Sequence, residues 1–215
     1  MKILNLYSGI GGNRALWGNE HEITAVEINP NIAEIYKYNF PNDNVIVGNA
    51  HEYLLENFEK FDFIWSSPPC QSHSRLNFIA TTDGKNGLVL KYPEMELYQE
   101  IILLKHHFKK KWVIENVKPY YEPLIKPTFK LCRHYFWSSD FILNAQFVES
   151  EFWIIKDKTN KLKDRYGFNN IPKELFKNIN TRQVLRNCVI PEVGRYIFQN
   201  ITGDFNVGTK EKGEK

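Results

Sequence analysis

Cys70 is the residue whose type and position most directly indicate chemistry in this sequence. It follows Pro68 and Pro69 at the end of an apolar run that starts at Ile64. Proline donates no backbone hydrogen bond and favours extended geometry before it, so the run predicts a strand that stops at a stiff turn. Ligands of open α/β sheets bind at the carboxyl ends of strands. Cys70 is therefore a candidate nucleophile, and the alternative is a small buried hydrophobic residue.

Glu115 is a second reactive side chain at a predicted strand end. The apolar run at residues 112–114 is followed directly by Glu115, Asn116 and Val117. A carboxylic acid at such an edge can share or transfer a proton with a bound substrate. We therefore expect Glu115 to lie near Cys70 if the two strands are neighbours in one sheet.

A glycine-rich turn follows the first apolar segment of the chain. Residues 2–7 predict a strand, residues 8–12 read Ser-Gly-Ile-Gly-Gly, and a helix-like segment begins near Asn13. Such a turn lets the backbone approach a ligand and directs amide groups toward it, as in nucleotide-cofactor sites. The third glycine of the dinucleotide motif is missing, so a merely tight turn is an equal alternative.

Glu27 ends the second predicted strand, residues 22–27. An acid at this place, about twenty residues after a glycine turn, typically accepts hydrogen bonds from ribose hydroxyls. The alternative is a solvated cap for the helix predicted at residues 31–38. The turn and the acid together indicate a ligand that carries a ribose.

The elements that must position these residues alternate between strand and helix. Strands are predicted at 45–47 and 61–65, with a polar helix at 51–60 between them. A further helix at 93–108 carries apolar residues at three- and four-residue spacing. This rhythm predicts an α/β fold with a Rossmann-like, doubly wound and mostly parallel sheet.

Composition restricts the class of protein. The 215 residues, 42% of them hydrophobic, are enough for one main domain, and the net charge is only +3. Three cysteines without a C-x-x-C pair predict neither a disulfide framework nor a structural zinc site, so we expect a reducing compartment and no metal. With no run of 18 apolar residues, we expect a cytoplasmic protein with no membrane contact.

The polar stretch after Cys70 extends to about Tyr92 and predicts a mobile lid over the substrate. His73 and Arg75 in this stretch are candidate phosphate contacts, although a solvated polar loop explains them equally well.

The alternation of strands and helices stops after residue 143. From Asn144 to Arg186 the chain has nine Lys or Arg against five Asp or Glu. We expect segments at 1–143, 144–183 and 184–202 and a disordered tail at 203–215. Resemblance to an enzyme family implies that the three segments are a catalytic domain, a short target-recognition region and a motif that returns to the catalytic domain. A solvated surface lobe is the alternative for the basic region.

These motifs, in this order, resemble those of the DNA cytosine-5 methyltransferases. The resemblance covers the glycine turn, the acid Glu27, the Pro-Cys-Gln motif at 69–71, the Glu-Asn-Val motif at 115–117, and residues 186–191, Arg-Asn-Cys-Val-Ile-Pro. Membership would imply transfer of a methyl group from S-adenosylmethionine to C5 of a flipped-out cytosine through a covalent Cys70 adduct. Double-stranded DNA would be the partner, in a bacterial or phage-infected cell.

The resemblance also implies a role for each matched residue. The catalytic residues would be Cys70, Glu115 and Arg133. The cofactor would contact Tyr7, Ser8, Gly9, Gly11, Gly12, Glu27, Ile28, Asn49, Ala50, Pro68, Asn187 and Val189. The substrate or DNA would contact Gln71, Ser72, His73, Ser74, Arg75 and Asn116.

Several positions depart from the family pattern, among them Asn5 at a commonly acidic position and Arg186 in place of a common glycine. Asn49 stands where an aspartate usually binds the adenine amino group, and its side-chain carbonyl offers the same acceptor. The Gln-x-Arg-x-Arg motif is reduced to Cys132, Arg133 and His134. Arg133 is expected to contact cytosine O2 and to lower the pKa of Cys70, and His134 is an open candidate for the second arginine.

Two other functions stay open. One is an RNA enzyme of the same fold that modifies transfer RNA. The other is a non-catalytic DNA-binding or partner subunit, suggested by the reduced arginine motif. We expect a monomer, with a partner subunit as the alternative.

Overall fold

A seven-stranded sheet organises the molecule. The computed structural model describes residues 1–75, 78–79, 92–142 and 159–205. The strands are β1 (Lys2–Leu6), β2 (Glu22–Glu27), β3 (Asn44–Val47), β4 (Phe63–Ser66), β5 (Lys111–Val117), β6 (Phe129–Leu131) and β7 (His134–Ser138). Their order across the sheet is β3-β2-β1-β4-β5-β7-β6.

Neighbouring strands from β3 to β5 are parallel, whereas β7 runs antiparallel to β5 and β6 antiparallel to β7. The carboxyl ends of the five parallel strands therefore lie at one edge of the sheet. The strand order reverses direction between β1 and β4, which is where ligands of such sheets usually bind. This arrangement confirms the predicted Rossmann-like, doubly wound and mostly parallel sheet.

The helices cover the sheet and close the chain. They are α1 (Pro30–Asn39), α2 (Ala50–Asn57), α3 (Glu96–His107), α4 (Thr159–Tyr166), α5 (Thr181–Asn187) and α6 (Pro191–Thr202). The helix expected to begin near Asn13 is only a short 3-10 turn, Asn13–Leu16. Helix α3 buries Leu97, Tyr98, Ile101 and Leu104, whereas Met95 and Ile102, both expected in its core stripe, are about half exposed.

The core divides into two clusters because side chains alternate between the two faces of a strand. Ile3 and Phe63 belong to one cluster, and their chain neighbours Leu4 and Ile64 belong to the other. Both faces of the sheet are thus apolar, as a sheet covered on both sides requires.

The described part of the predicted recognition region packs on the same core. Leu162 of α4 and Phe176 of the 3-10 turn Lys173–Phe176 lie in one cluster with Ile3 and Trp17. Residues 159–176 are therefore continuous with the catalytic core instead of forming a detached lobe. Residues 144–158 and 206–215 lie outside the described part, and the role of 144–183 in target recognition stays a prediction.

Helix α6 packs back on the amino-terminal turn at very short distance. Phe198 stacks on Trp17 with ring centroids 5.1 Å apart, and Trp17 Nε1 donates to Gly194 O at 3.3 Å. A Cβ placed on Gly194 would lie 2.5 Å from Asn13 O. Only glycine permits this approach of two backbones.

In the part of the chain that the structure describes, no helix has the length and apolarity needed to span a bilayer.

Gly194→Ala tests this close approach. Alanine favours helices over glycine, but here its methyl group would press on the Asn13 backbone, so we expect a net loss of about 1–3 kcal/mol in the free energy of unfolding, measured by urea denaturation. Gly48→Ala is the matched control because its Cβ would meet only Ile46 Cγ2 at 3.9 Å. Equal stability of Gly194→Ala and the wild type would contradict the prediction.

Candidate active site

The glycine turn after β1 has a backbone conformation that few side chains favour. Tyr7, Gly9 and Gly11 have φ of 52°, 54° and 87°. A positive φ at a tyrosine is uncommon and marks a constrained position. Ser8 N donates to Val26 O of β2, and Gly11 N donates to Ser8 O, both at 3.0 Å. The turn is thus tied to the carboxyl end of β2.

Glu27 locks this turn from the end of β2. Its Oε2 accepts from Gly9 N at 3.0 Å, and its Oε1 accepts from Asn29 N at 2.9 Å. Burial raises the pKa of the Glu27 carboxyl, and these backbone amides oppose that rise. A carboxylate can accept about four hydrogen bonds, so Glu27 keeps capacity for the two ribose hydroxyls predicted from sequence.

The surroundings of the turn fit the nucleoside part of a cofactor. A Cβ on Gly9 would meet no atom within 4 Å, so open space lies beside this backbone. Ser8 Oγ is buried and has no hydrogen-bond partner among the described residues. Ile28 is 69% exposed beside Glu27 and offers an apolar surface. Asn49 caps α2 by accepting from His51 N at 3.0 Å. The predicted cofactor site thus lies at the carboxyl ends of β1, β2 and β3. The residues predicted to form it there are Tyr7, Ser8, Gly9, Glu27, Ile28, Asn49 and Ala50.

Residues of the carboxyl-terminal motif pack closely on this turn. A Cβ on Gly12 would lie 2.5 Å from Val189 O and 2.8 Å from Cys188 Cβ. Burial raises the pKa of Cys188 to about 12, so this thiol is held protonated against the turn. Direct contact of Asn187 and Val189 with a cofactor stays a prediction.

Sequence reasoning missed Glu100, a fully buried carboxylate on α3. It accepts hydrogen bonds from Tyr7 Oη at 2.7 Å and Ser66 Oγ at 2.6 Å, and its Oε1 lies 3.2 Å from His51 Nδ1. The carboxylate raises the pKa of His51, and burial together with Glu100 raises the pKa of Tyr7. Its sequence signal was a charged residue at a buried position of the helix, between Leu97 and Leu104.

The nucleophile turn begins directly after β4. Cys70 O accepts from His73 N at 3.1 Å and from Ser74 N at 3.0 Å, which closes a tight turn around the thiol. Burial, and secondly the charge of Glu115, raise the pKa of Cys70 to about 11. The expected lowering of this pKa by a nearby cation is therefore wrong for the protein without substrate, because desolvation and a neighbouring carboxylate both disfavour the thiolate.

Glu115 and Asn116 lie in β5, the parallel neighbour of β4. Glu115 is 9% exposed, and Asn116 is buried. The Asn116 side chain donates from Nδ2 to Pro68 O at 3.0 Å and accepts from Val117 N at 2.9 Å. Asn116 thus fixes the proline turn that carries Cys70 through the carbonyl oxygen of Pro68. Contact of Asn116 with DNA and of Pro68 with a cofactor stay predictions.

The β6–β7 hairpin brings His134 to Glu115. His134 Nε2 lies 3.4 Å from Glu115 Oε1. Arg133 lies in the turn, is exposed, and accepts at its backbone oxygen from Lys118 N at 3.2 Å. His134 therefore lies beside Glu115, and it stays a candidate for the role of the second arginine. Contact of Arg133 with a base stays a prediction.

His73 points into the protein. It is 1% exposed, and its Nδ1 lies 2.5 Å from Tyr121 Oη. Burial lowers the pKa of its imidazole. The sequence left two interpretations of His73 open, a phosphate contact and a solvated loop. A side chain this buried fits neither of them. Gln71 and Arg75 are exposed, and Ser72 Oγ accepts from Glu94 N at 2.9 Å.

Ser74 is half-buried and pairs with Pro119. DNA contact by Gln71, Ser72, Ser74 and Arg75 stays a prediction. Most of the predicted lid, residues 76–77 and 80–91, lies outside the described residues.

The sheet order, the glycine turn locked by an acid and the cysteine beside a carboxylate define a Rossmann-like methyltransferase fold. The family profile described as "C-5 cytosine-specific DNA methylase" matches residues 1–140. The chain therefore belongs to the C-5 cytosine-specific DNA methylase family.

Relatives with two kinds of substrate resemble this chain. The human tRNA (cytosine(38)-C(5))-methyltransferase is 37% identical over 117 residues, covering 49% of this chain and 30% of the relative. The type II methyltransferase M1.HphI of Haemophilus parahaemolyticus is 30% identical over 126 residues, covering 53% of this chain and 32% of the relative. A mutant DNMT2 structure from Spodoptera frugiperda is 34% identical with a TM-score of 0.39, covering 54% of this chain and 35% of that one.

The matched part of this chain spans between 20% and 33% of the length of the curated relatives.

Glu115→Gln tests the electrostatic link between Glu115 and Cys70. Removing the carboxylate charge should lower the pKa of Cys70, yet leave it above the ordinary value because burial is the larger cause. The measurement is the pH dependence of Cys70 alkylation, followed by peptide mass spectrometry so that Cys132 and Cys188 are counted separately. Glu122→Gln is the control, and an unchanged Cys70 profile in Glu115→Gln would contradict the link.

Proposed function

We propose that this protein is a DNA cytosine-5 methyltransferase that acts through a covalent adduct between Cys70 and C6 of cytosine. The observation that carries the proposal is the proximity of Cys70, in the turn after β4, to Glu115, in the last half of the adjacent parallel strand β5. The two side chains are near enough for the charge of Glu115 to raise the pKa of the thiol. A thiol and a carboxyl group at one edge of the sheet suit this reaction, because the thiol attacks C6 of cytosine while the carboxyl group shares a proton with N3.

The cofactor is S-adenosylmethionine, which supplies the methyl group when bound. Glu27 would accept from the ribose hydroxyls and Asn49 from the adenine amino group. The glycine turn lets its backbone approach the amino-acid end, and the buried Ser8 Oγ supplies a polar atom there. Support comes from the open space beside Gly9 and from family membership.

Cys70 and Glu115 have different roles in the reaction of the base. Cys70 Sγ forms a bond to C6 as its proton leaves, and Glu115 shares a proton with N3, which offsets the charge that builds on the ring. When C5 has received the methyl group, the C5 proton leaves and the Cys70–C6 bond breaks. The products are 5-methylcytosine, S-adenosylhomocysteine and one proton.

The raised pKa of Cys70 suits this order of events. Without substrate, the thiol keeps its proton at pH 7, partly because Glu115 is charged beside it. When Glu115 shares a proton with cytosine N3, its charge raises the pKa of Cys70 less. The thiolate therefore forms more easily when a base is bound. Binding of the base and activation of the nucleophile are thereby coupled.

DNA is the proposed partner, and the chain acts as a monomer. A target carbon inside a stacked duplex is out of reach, so the base must be flipped out at a cost of a few kcal/mol. The excess of basic residues between Asn144 and Arg186 favours a polyanionic partner.

Labelled S-adenosylmethionine and mixed-sequence duplex DNA test the reaction. We expect label at C5 of cytosine, loss of transfer by at least about 1000-fold in Cys70→Ser with cofactor affinity retained, and activity retained in the control Cys132→Ser. An active Cys70→Ser variant would disprove the nucleophile. Cofactor binding without transfer to any nucleic acid would disprove the enzyme.

Transfer RNA is the second candidate substrate. The observation in its favour is the 37% identity to the human tRNA (cytosine(38)-C(5))-methyltransferase over 117 residues. Parallel assays with equal cytosine concentrations distinguish the two, and a higher kcat/KM on tRNA than on any duplex would select RNA. The third alternative, a non-catalytic subunit, predicts DNA binding with no transfer until a second chain is added.

His134→Ala tests the residue whose ring lies beside the Glu115 carboxylate. Loss of the imidazole should reduce kcat by roughly 10- to 100-fold with little change in cofactor affinity, because the side chain contacts the proton-sharing carboxylate and not the glycine turn. His134→Arg, which keeps a donor at this place, should recover most of the rate. Equal rates for His134→Ala and the wild type would show that the contact has no role in transfer.

A further inference from the structure

Three ligand-type side chains meet at the edge of the sheet opposite the candidate active site. Glu20 and His21 precede β2, and Asp204 follows α6 just after Gly203. The active-site residues gather at the carboxyl ends of the parallel strands, whereas this group lies at the amino end of β2. None of the three belongs to the cofactor or nucleophile motifs.

The spacing of the three groups approaches that of a metal site. His21 Nε2 lies 3.6 Å from Asp204 Oδ2 and 3.8 Å from Glu20 Oε1, and all three ligand atoms lie within 4.8 Å of one another. Ligand atoms about 2.0–2.2 Å from one tetrahedral metal ion are about 3.3–3.5 Å apart. The two distances from His21 Nε2 need to shorten by only a few tenths of an ångström to reach this spacing, and the two carboxylate oxygens lie within 4.8 Å of each other.

His21 itself indicates that a partner is missing from this group. Its side chain is 3% exposed, and neither ring nitrogen has a hydrogen-bond partner among the described residues. The contacts to the two carboxylates are too long for hydrogen bonds. Leaving a buried polar group without a partner is unfavourable, so a cation between the ring and the carboxylates would remove that cost.

The backbone and the neighbouring ring fix the orientation of the ligands. The His21 ring packs on Phe198 of α6 with centroids 5.4 Å apart. Gly203 ends α6 in the left-handed conformation with φ of 74°, and Asp204 N donates to Thr202 Oγ1 at 3.2 Å. The ring and the Asp204 carboxylate are therefore held by structure that exists without an ion.

The donor set selects the kind of ion. One imidazole and two carboxylates suit Zn²⁺ and similar first-row divalent metals, whereas Mg²⁺ and Ca²⁺ favour oxygen ligands throughout. Positive charge also lies near, on the amino terminus and on Arg14. Arg14 is paired with Asp43 at 2.9 Å, so the two carboxylates of the group determine the local charge.

We propose that Glu20, His21 and Asp204 bind one Zn²⁺ ion, with water completing the coordination. The ion links the segment before β2 to the end of α6, the helix whose Gly194 packs on the Asn13 turn beside the cofactor site. Metal binding therefore stabilises the attachment of the carboxyl-terminal helix, independently of the nucleic acid that the enzyme modifies. The ligands lie at opposite ends of the sequence, so no spacing motif could reveal them.

Calorimetric titration of the untagged, metal-free protein with ZnCl₂ tests the site. The test variant is the double substitution Glu20→Gln and Asp204→Asn, which keeps side-chain size at the protein surface. Glu22→Gln is the control because it removes an exposed carboxylate next to His21. Cysteine thiolates and exposed imidazoles such as those of His106 and His107 are general zinc ligands, so the decisive quantity is the number of equivalents lost relative to the wild type.

We expect the double variant to lose one equivalent of bound Zn²⁺ and Glu22→Gln to lose none. Thermal unfolding supplies a second readout: Zn²⁺ at about 100-fold above Kd should raise the Tm of the wild type and of Glu22→Gln by about 5–10 °C, and leave the double variant unchanged. Equal stoichiometry in all three proteins, or no binding by the wild type, would overturn the proposal. His21→Gln, if it folds, should match the double variant.

Discussion

One buried carboxylate, Glu100, holds together the segments from which the active site is built. It joins Tyr7 of the glycine turn, Ser66 at the end of β4 and His51 at the start of α2. The cofactor turn, the nucleophile turn and the helix capped by Asn49 therefore share one anchor. Removing one partner of a buried charged group typically costs about 3–5 kcal/mol, so these segments keep a common geometry or lose it together.

The second constraint is close backbone contact between the two ends of the chain. Gly12 lies against Cys188 and Val189, and Gly194 lies against Asn13. The family match ends at residue 140, yet the cofactor turn is completed by residues well beyond it. The conformation of the first turn therefore depends on residues that lie far from it in sequence.

Sequence predicted the sheet and the reactive pair, since strands, glycine turn and proline turn each have local signals. It missed interactions that depend on packing. Glu100 is buried because α3 turns that face toward β1 and β4, and the sign of the Cys70 pKa shift follows from burial rather than from residue type. The choice between Arg133 and His134 at Glu115 depends on hairpin register, where a shift by one residue exchanges the two faces.

The raised pKa of Cys70 has a consequence for the lifetime of the enzyme. Thiolates, and not thiols, react rapidly with peroxide and pass to sulfenic and then irreversible acids. A thiol with a pKa of about 11 is almost entirely protonated at pH 7. Burial beside Glu115 should therefore slow the oxidation of the Cys70 thiol when no substrate is bound.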